Sequence, residues 1–139
     1  MSCHHGTVEL KSPLLPLPMF GGGIKRGSQP NKNMFVLDLA HVVRFSDEFK
    51  YLKIIDWKNL SVPSLTHNDW QGIYDAWIQS NLPLQAICLY GHGRTGTALS
   101  IMLGLHGIKH PVSLVRKLYC VHAVETKLQA QYIKYILKD

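Results

Sequence analysis

The chain reads as an α/β protein, with a small central, mostly parallel sheet flanked by helices. Three observations predict this class. Short apolar runs at 34–39, 51–55 and 84–89 read as buried strands. Amphipathic helical patterns gather in the second half of the chain. A glycine-rich loop joins the last strand to the helix that follows it. Strands early and helices late pack naturally as layers around a small sheet.

Residues 1–33 are expected to be an irregular segment followed by a loop, and residues 34–139 the core of a single domain. Pro13, Pro16 and Pro18 block a helix before residue 20, leaving short extended pieces. Residues 21–33, GGGIKRGSQPNKN, have loop composition. After the strand at 34–39, residues 45–50 suit a short helical turn, and the strand at 51–55 follows. Thr66 and Asp69 have the spacing of a capping box. Trp70, Ile73, Tyr74, Trp77 and Ile78 then share one helical face, ended by Asn81 and Pro83. Beyond the loop, Ala98, Ile101, Met102 and Leu105 predict an amphipathic helix that stops near Gly107. Pro111 opens a third helix carrying Val112, Val115 and Leu118. Leu128, Tyr132, Ile133, Ile136 and Leu137 make a fourth.

A length of 139 residues with 46% apolar content fits one packed core. Three scattered cysteines are too few for a disulfide framework, so a reducing, cytoplasmic setting is expected. The first residues lack the regions of a secretory signal, and no run has the length of a membrane span. A net charge of +6 favours anionic partners without choosing among phosphoprotein, nucleotide, RNA and lipid. Lys109, Arg116, Lys117, Lys127, Lys134 and Lys138 read as a solvated face of the late helices. Cys3-His4-His5 and Cys120-Val121-His122 lack paired metal-ligand spacing, so no metal or other cofactor is expected.

The chemistry concentrates in Cys88-Leu89-Tyr90-Gly91-His92-Gly93-Arg94-Thr95-Gly96, where five residues separate a cysteine from an arginine. The segment also fits G-x-G-x-x-G, but no strand with an acidic end follows at the spacing a dinucleotide fold requires. An anion loop needs no further unit. Backbone N–H groups of Leu89, Tyr90, Gly91, His92, Gly93 and Arg94 are expected to surround one tetrahedral dianion, aided by the start of the next helix. That field favours the thiolate form of Cys88. The planar fork of Arg94 matches two phosphoryl oxygens. Lys25 and Arg26, on the glycine loop, are a weaker match to an anionic substrate.

With these residues the chain resembles the cysteine-dependent protein tyrosine and dual-specificity phosphatases. CLYGHGRTGTAL is similar to their signature loop. Ala123-Val124-Glu125-Thr126-Lys127-Leu128-Gln129 is similar to the segment that places a water-positioning glutamine, here Gln129. Trp57-Lys58-Asn59-Leu60-Ser61-Val62-Pro63 has the frame of the mobile acid loop. The resemblance implies a tyrosine-phosphatase-like fold, Cys88 as nucleophile, Arg94 as clamp and Thr95 as a donor to the sulfur. Two positions depart from the family: Ile87 stands where a histidine is usual, and Asn59 where an aspartate is usual. An amide has no acidic proton. Asp56 is therefore the first candidate for the general acid, ahead of His67 and Asp69.

The expected activity is hydrolysis of phosphotyrosine or another phosphate ester through a phosphocysteine, by a monomer acting without a membrane. An RNA 5′ end is a second substrate class, because a 5′-triphosphatase needs little leaving-group protonation. A third reading is a pseudophosphatase that binds phosphorylated partners without turnover, motivated by Ile87 and Asn59.

Overall fold

The computed structural model describes residues 6–138. Its strands are Val8–Leu10 (β1), Met19–Gly23 (β2), Phe35–Asp38 (β3), Tyr51–Ile54 (β4) and Leu84–Cys88 (β5). Its helices are His67–Ser80 (α1), Gly93–His106 (α2), Pro111–Leu118 (α3) and Lys127–Leu137 (α4), with short 3-10 turns at Ile24–Arg26 and Ser46–Glu48. The strands form one sheet in the order β1-β2-β5-β3-β4. Only β1 runs antiparallel to its neighbour; the other three pairings are parallel. The expected mostly parallel α/β sheet is present.

Several local signals hold to the residue. Thr66 accepts from the Asp69 amide while the Asp69 carboxylate accepts from the Thr66 amide, completing the capping box. The Thr66 amide first, and then the Thr66 hydroxyl donating to the same carboxylate oxygen at 3.0 Å, hold the Asp69 carboxyl below its ordinary range. Asn81 ends α1 in the left-handed conformation, and Gly107 ends α2 in the same way. Pro111 occupies the first turn of α3.

Two expectations need correction. The first is α2, which is buried nearly all round rather than amphipathic. It lies against β2 and β5 and touches α1, α3 and α4. Thr97 and Ser100 fit there because their hydroxyls donate to the Gly93 and Gly96 carbonyls, so neither hydroxyl is left unpaired. On the neighbouring helices Ile78 and Leu128, expected to face inward, are exposed.

The second correction concerns the N-terminal third. Residues 8–10 and 19–23 are strands of the sheet, and β2 is an inner strand beside β5. Three glycines close it, which argues against a strand on propensity alone. Close approach explains them. A Cβ on Gly23 would lie 2.3 Å from the Tyr90 carbonyl carbon and 2.5 Å from the Gly91 nitrogen, so β2 abuts the loop that follows β5. The backbone bond from the Lys25 amide to the Leu89 carbonyl, 2.8 Å, closes the same contact.

Gly→Ala in a compatible extended strand stabilises by about 0.4–1 kcal/mol through the unfolded chain. At Gly23 the added carbon meets rigid backbone. Gly23→Ala is therefore expected to destabilise by about 1–3 kcal/mol, read from the urea midpoint. An unchanged or raised midpoint would contradict the close approach.

Candidate functional site

The site is built where β5 ends. A fully buried strand delivers Cys88, 2% exposed, to the bottom of the turn that precedes α2. Its sulfur accepts from the Gly91 amide at 3.2 Å and from the Thr95 hydroxyl at 3.0 Å. The same hydroxyl lies 3.2 Å from the Gly22 carbonyl. With one proton, it serves sulfur or carbonyl at a given moment.

The turn is held from outside by a residue the sequence did not single out. Tyr119, at the end of α3, donates its phenol proton to the Gly91 carbonyl. Burial, and then the nearby charge of Cys88, raise the phenol's pKa far above its ordinary value. It therefore remains a donor throughout the working pH range.

Arg94 is buried to 4% exposure and splits its guanidinium between two tasks. Nη1 donates to the Trp57 carbonyl at 2.9 Å and the Leu39 carbonyl at 3.4 Å. Nε and Nη2 are buried with no hydrogen-bond partner among the described residues. An unpaired buried cation is strongly unfavourable unless a counter-charge joins it. The two unpartnered nitrogens form the edge that matches two oxygens of an oxyanion.

The carbonyls that hold Arg94 are themselves fixed. The buried Asp38 carboxylate accepts from the amides of Ala40, Val42 and Val43 at 3.2, 3.0 and 2.8 Å, shaping the turn that presents Leu39. Trp57 is 4% exposed and donates from its indole to the Ser61 carbonyl at 2.7 Å. That carbonyl also accepts from Gln129 Nε2 at 3.3 Å. The 57–63 segment is thus docked on both Arg94 and Gln129.

Gln129 is fully buried, not the exposed helix residue that the pattern equally allows. Its amide oxygen accepts from the Glu125 amide at 3.0 Å, and its own backbone N–H is capped by Thr126. Glu125, within the segment the sequence flagged but with no assigned role, accepts from the Gly93 amide at 2.9 Å. Of the expected anion-binding amides, Gly91 therefore addresses the sulfur and Gly93 a carboxylate.

The candidate acids are not gathered at the loop. Asp56 has a side chain 97% exposed and an ion pair to His41 at 3.4 Å. His67 contacts the Ile136 carbonyl, tying α1 to α4, and Asp69 is a helix cap. Asn59 is exposed in the turn ahead of Leu60, whose φ is +63°. Ile87 is buried in β5. On the loop itself His92 is kept neutral to lower pH by burial first, then by Arg26; its Nε2 is buried without a partner among the described residues. Cys3-His4-His5 lies outside the described residues. Among the described residues no group of three or more metal-type side chains is placed to hold an ion.

No protein-family model matches the chain. Two uncharacterized proteins of Methanocaldococcus jannaschii align with 51 residues at 51% and 49% identity, which is 37% of this chain in each case. Those matches take in 32% and 35% of the relatives, so the matched part spans about a third of their length. Among solved structures, a mutant form of Tk-PTP superposes with a TM-score of 0.67 at 15% identity, over 86% of this chain and 89% of that one. PTPMT1 in complex with PI(5)P gives 0.65 at 14% identity, over 91% and 94%. OH1 from the Orf virus, a tyrosine phosphatase with triple substrate specificity, gives 0.60 at 11%, over 100% and 91%. The chain has the fold of the small tyrosine and dual-specificity phosphatases.

Removing the phenol that braces the turn tests this construction. Tyr119→Phe leaves the Gly91 carbonyl without that donor and is expected to destabilise by about 1–2 kcal/mol in urea. An unchanged midpoint would show that the phenol does not hold the turn.

Proposed function

We propose that this chain, built on the fold of the small tyrosine phosphatases, hydrolyses phosphate esters through a phosphocysteine on Cys88. One observation carries the reading. A single turn presents a buried thiol that receives two donors and a buried guanidinium with two unpartnered N–H groups. Both halves are arranged for a tetrahedral dianion.

In the first step the Cys88 thiolate attacks phosphorus in line. The S–P bond forms, the bond to the leaving oxygen breaks, and that oxygen takes up a proton. In the second, water attacks phosphorus, loses its proton, and the S–P bond breaks to restore the thiolate. Amides of residues 89–94 and the fork of Arg94 stabilise the equatorial oxygens. The Thr95 hydroxyl, 3.0 Å from the sulfur, eases its departure in the second step. Gln129, buried between the turn and the 57–63 segment, helps to hold the hydrolytic water.

The leaving group is the open term. Asn59 offers no proton, and Asp56 points to solvent beside His41. Such a site favours leaving groups of low pKa, so aryl phosphates such as phosphotyrosine come first. A phosphoanhydride, as at an RNA 5′-triphosphate, is the second reading for the same reason, and the charge of +6 suits it. The neighbours do not choose, since one holds a phosphoinositide and another has triple substrate specificity. A non-hydrolysing binder needs Arg94 but not a thiol with two donors, so the pseudophosphatase reading is the weakest. Cys88 is a free thiol while Cys120 is disulfide-bonded, against the expectation that the cysteines form no disulfide, so cysteine state does not choose a compartment. No described helix is long and apolar enough to cross a membrane.

Two variants test the reading with p-nitrophenyl phosphate and triphosphate-ended RNA side by side. Cys88→Ser is expected to drop turnover of the preferred substrate to background while tungstate affinity stays within about threefold, under 1 kcal/mol. Arg94→Lys is expected to lower kcat/KM by about 10²–10³, the scale of losing an oxyanion donor. Turnover that survives Cys88→Ser would remove the mechanism.

A further inference from the structure

We infer that Glu125 is the proton carrier of this reaction, a role for which the acid segment offers only Asn59 and a surface aspartate. The inference rests on the phosphocysteine reading above. Glu125 Oε1 accepts from the amide of Gly93, the residue directly before Arg94, at 2.9 Å. Among the described residues no other carboxylate is hydrogen-bonded to residues 88–94. Gly93 makes the approach feasible, because a Cβ there would lie 2.6 Å from Glu125 Oε1 and 2.9 Å from Gln129 Oε1.

The backbone around Glu125 is built to hold it there. Val124 has φ +62°, a left-handed conformation that a β-branched residue rarely adopts. Arg116 reaches across from α3 to fix it, donating from Nε to the Ala123 carbonyl at 2.9 Å and from Nη2 to the Val124 carbonyl at 3.0 Å. The Glu125 amide donates to Gln129, and Thr126 caps α4 directly after it. Backbone strain therefore sits next to a carboxylate whose main chain is pinned while the residue remains exposed to solvent. The charged and titratable groups around it are His92 on the turn and His122 and Arg116, which line a common cavity with it. Arg26 acts on the same corner through His92.

The contact with Gly93 sets the sequence of events. A bound phosphoryl group takes over the Gly93 N–H, and the Glu125 carboxyl turns from it toward the leaving oxygen. As S–P forms and P–O breaks, the carboxyl proton passes to that oxygen. The resulting carboxylate accepts a proton from water as the water oxygen attacks phosphorus and S–P breaks. Cys88 thiolate and a protonated Glu125 are regenerated, and protons balance over the cycle.

The test is the dependence of kcat/KM on leaving-group pKa, using a series from dinitrophenyl through phenyl to alkyl phosphates. It is measured for the wild type, Glu125→Gln, Glu125→Asp and Asp56→Asn. Glu125→Gln is expected to lose about 10²–10⁴ on alkyl phosphates and far less on dinitrophenyl phosphate, which steepens the dependence. It should also remove one limb of the pH–rate profile while tungstate binding persists, with Glu125→Asp recovering part of the alkyl activity. A uniform loss across the series would show a merely structural role and overturn the inference. So would a steepened dependence in Asp56→Asn instead. If Cys88→Ser is inactive and Glu125→Gln keeps the wild-type slope, this inference fails alone; if Cys88→Ser turns over, the parent reading fails with it.

Discussion

The half-paired guanidinium of Arg94 is the constraint from which the rest of the site follows. Burying a cation is unfavourable by several kcal/mol unless its donors are met. Here Nη1 is met by two backbone carbonyls, Leu39 from the turn after β3 and Trp57 from the segment after β4, while Nε and Nη2 are not. The carbonyls fix the plane of the fork and leave one edge for an anion. Preorganisation of this kind removes the reorganisation that a flexible surface arginine would need on binding.

Much of the surrounding architecture serves that placement. Asp38 gathers three amides at the end of β3, so the turn that offers Leu39 is rigid. Trp57 closes on Ser61, and Ser61 meets Gln129, which links the 57–63 segment to the start of α4. On the other side β2 presses its glycines against the turn, and Tyr119 braces Gly91. Gly91, whose amide donates to the Cys88 sulfur, is thus held between a backbone wall and a phenol.

The local parts of this design were legible in the sequence. Strand β5, the cysteine turn and α2 are contiguous, and apolar run, glycines and arginine announce them together. Thr66, Asn81, Gly107 and Pro111 marked helix ends because capping is a matter of a few adjacent residues. What stayed hidden depends on distant chain. Gly21, Gly22 and Gly23 have the composition of a loop; parallel pairing with Ala86, Ile87 and Cys88 makes them a strand, and the close approach of Tyr119, Ser28 and the Tyr90–Gly91 backbone leaves room for glycine alone. Asp38 looked like the polar end of an apolar run, since its three acceptor contacts come from a turn without side-chain signature. Arg94's partners are carbonyls, which no residue type reveals. Gln129 was legible as a site residue by resemblance, but its burial was not, and Glu125 carried no signal beyond lying in that segment. Asp56 was singled out for its nearness in sequence to Asn59, and the strand end turns its side chain outward to His41 instead.

The central claim is that the unpartnered edge of Arg94 and the Cys88 sulfur face one oxyanion. A crystal structure of the protein with tungstate tests it most directly. The account predicts tungstate oxygens about 2.7–3.1 Å from both Arg94 Nε and Nη2, with the tungsten facing Cys88 Sγ. Tungstate bound elsewhere, or those two nitrogens found engaged by protein groups, would contradict it.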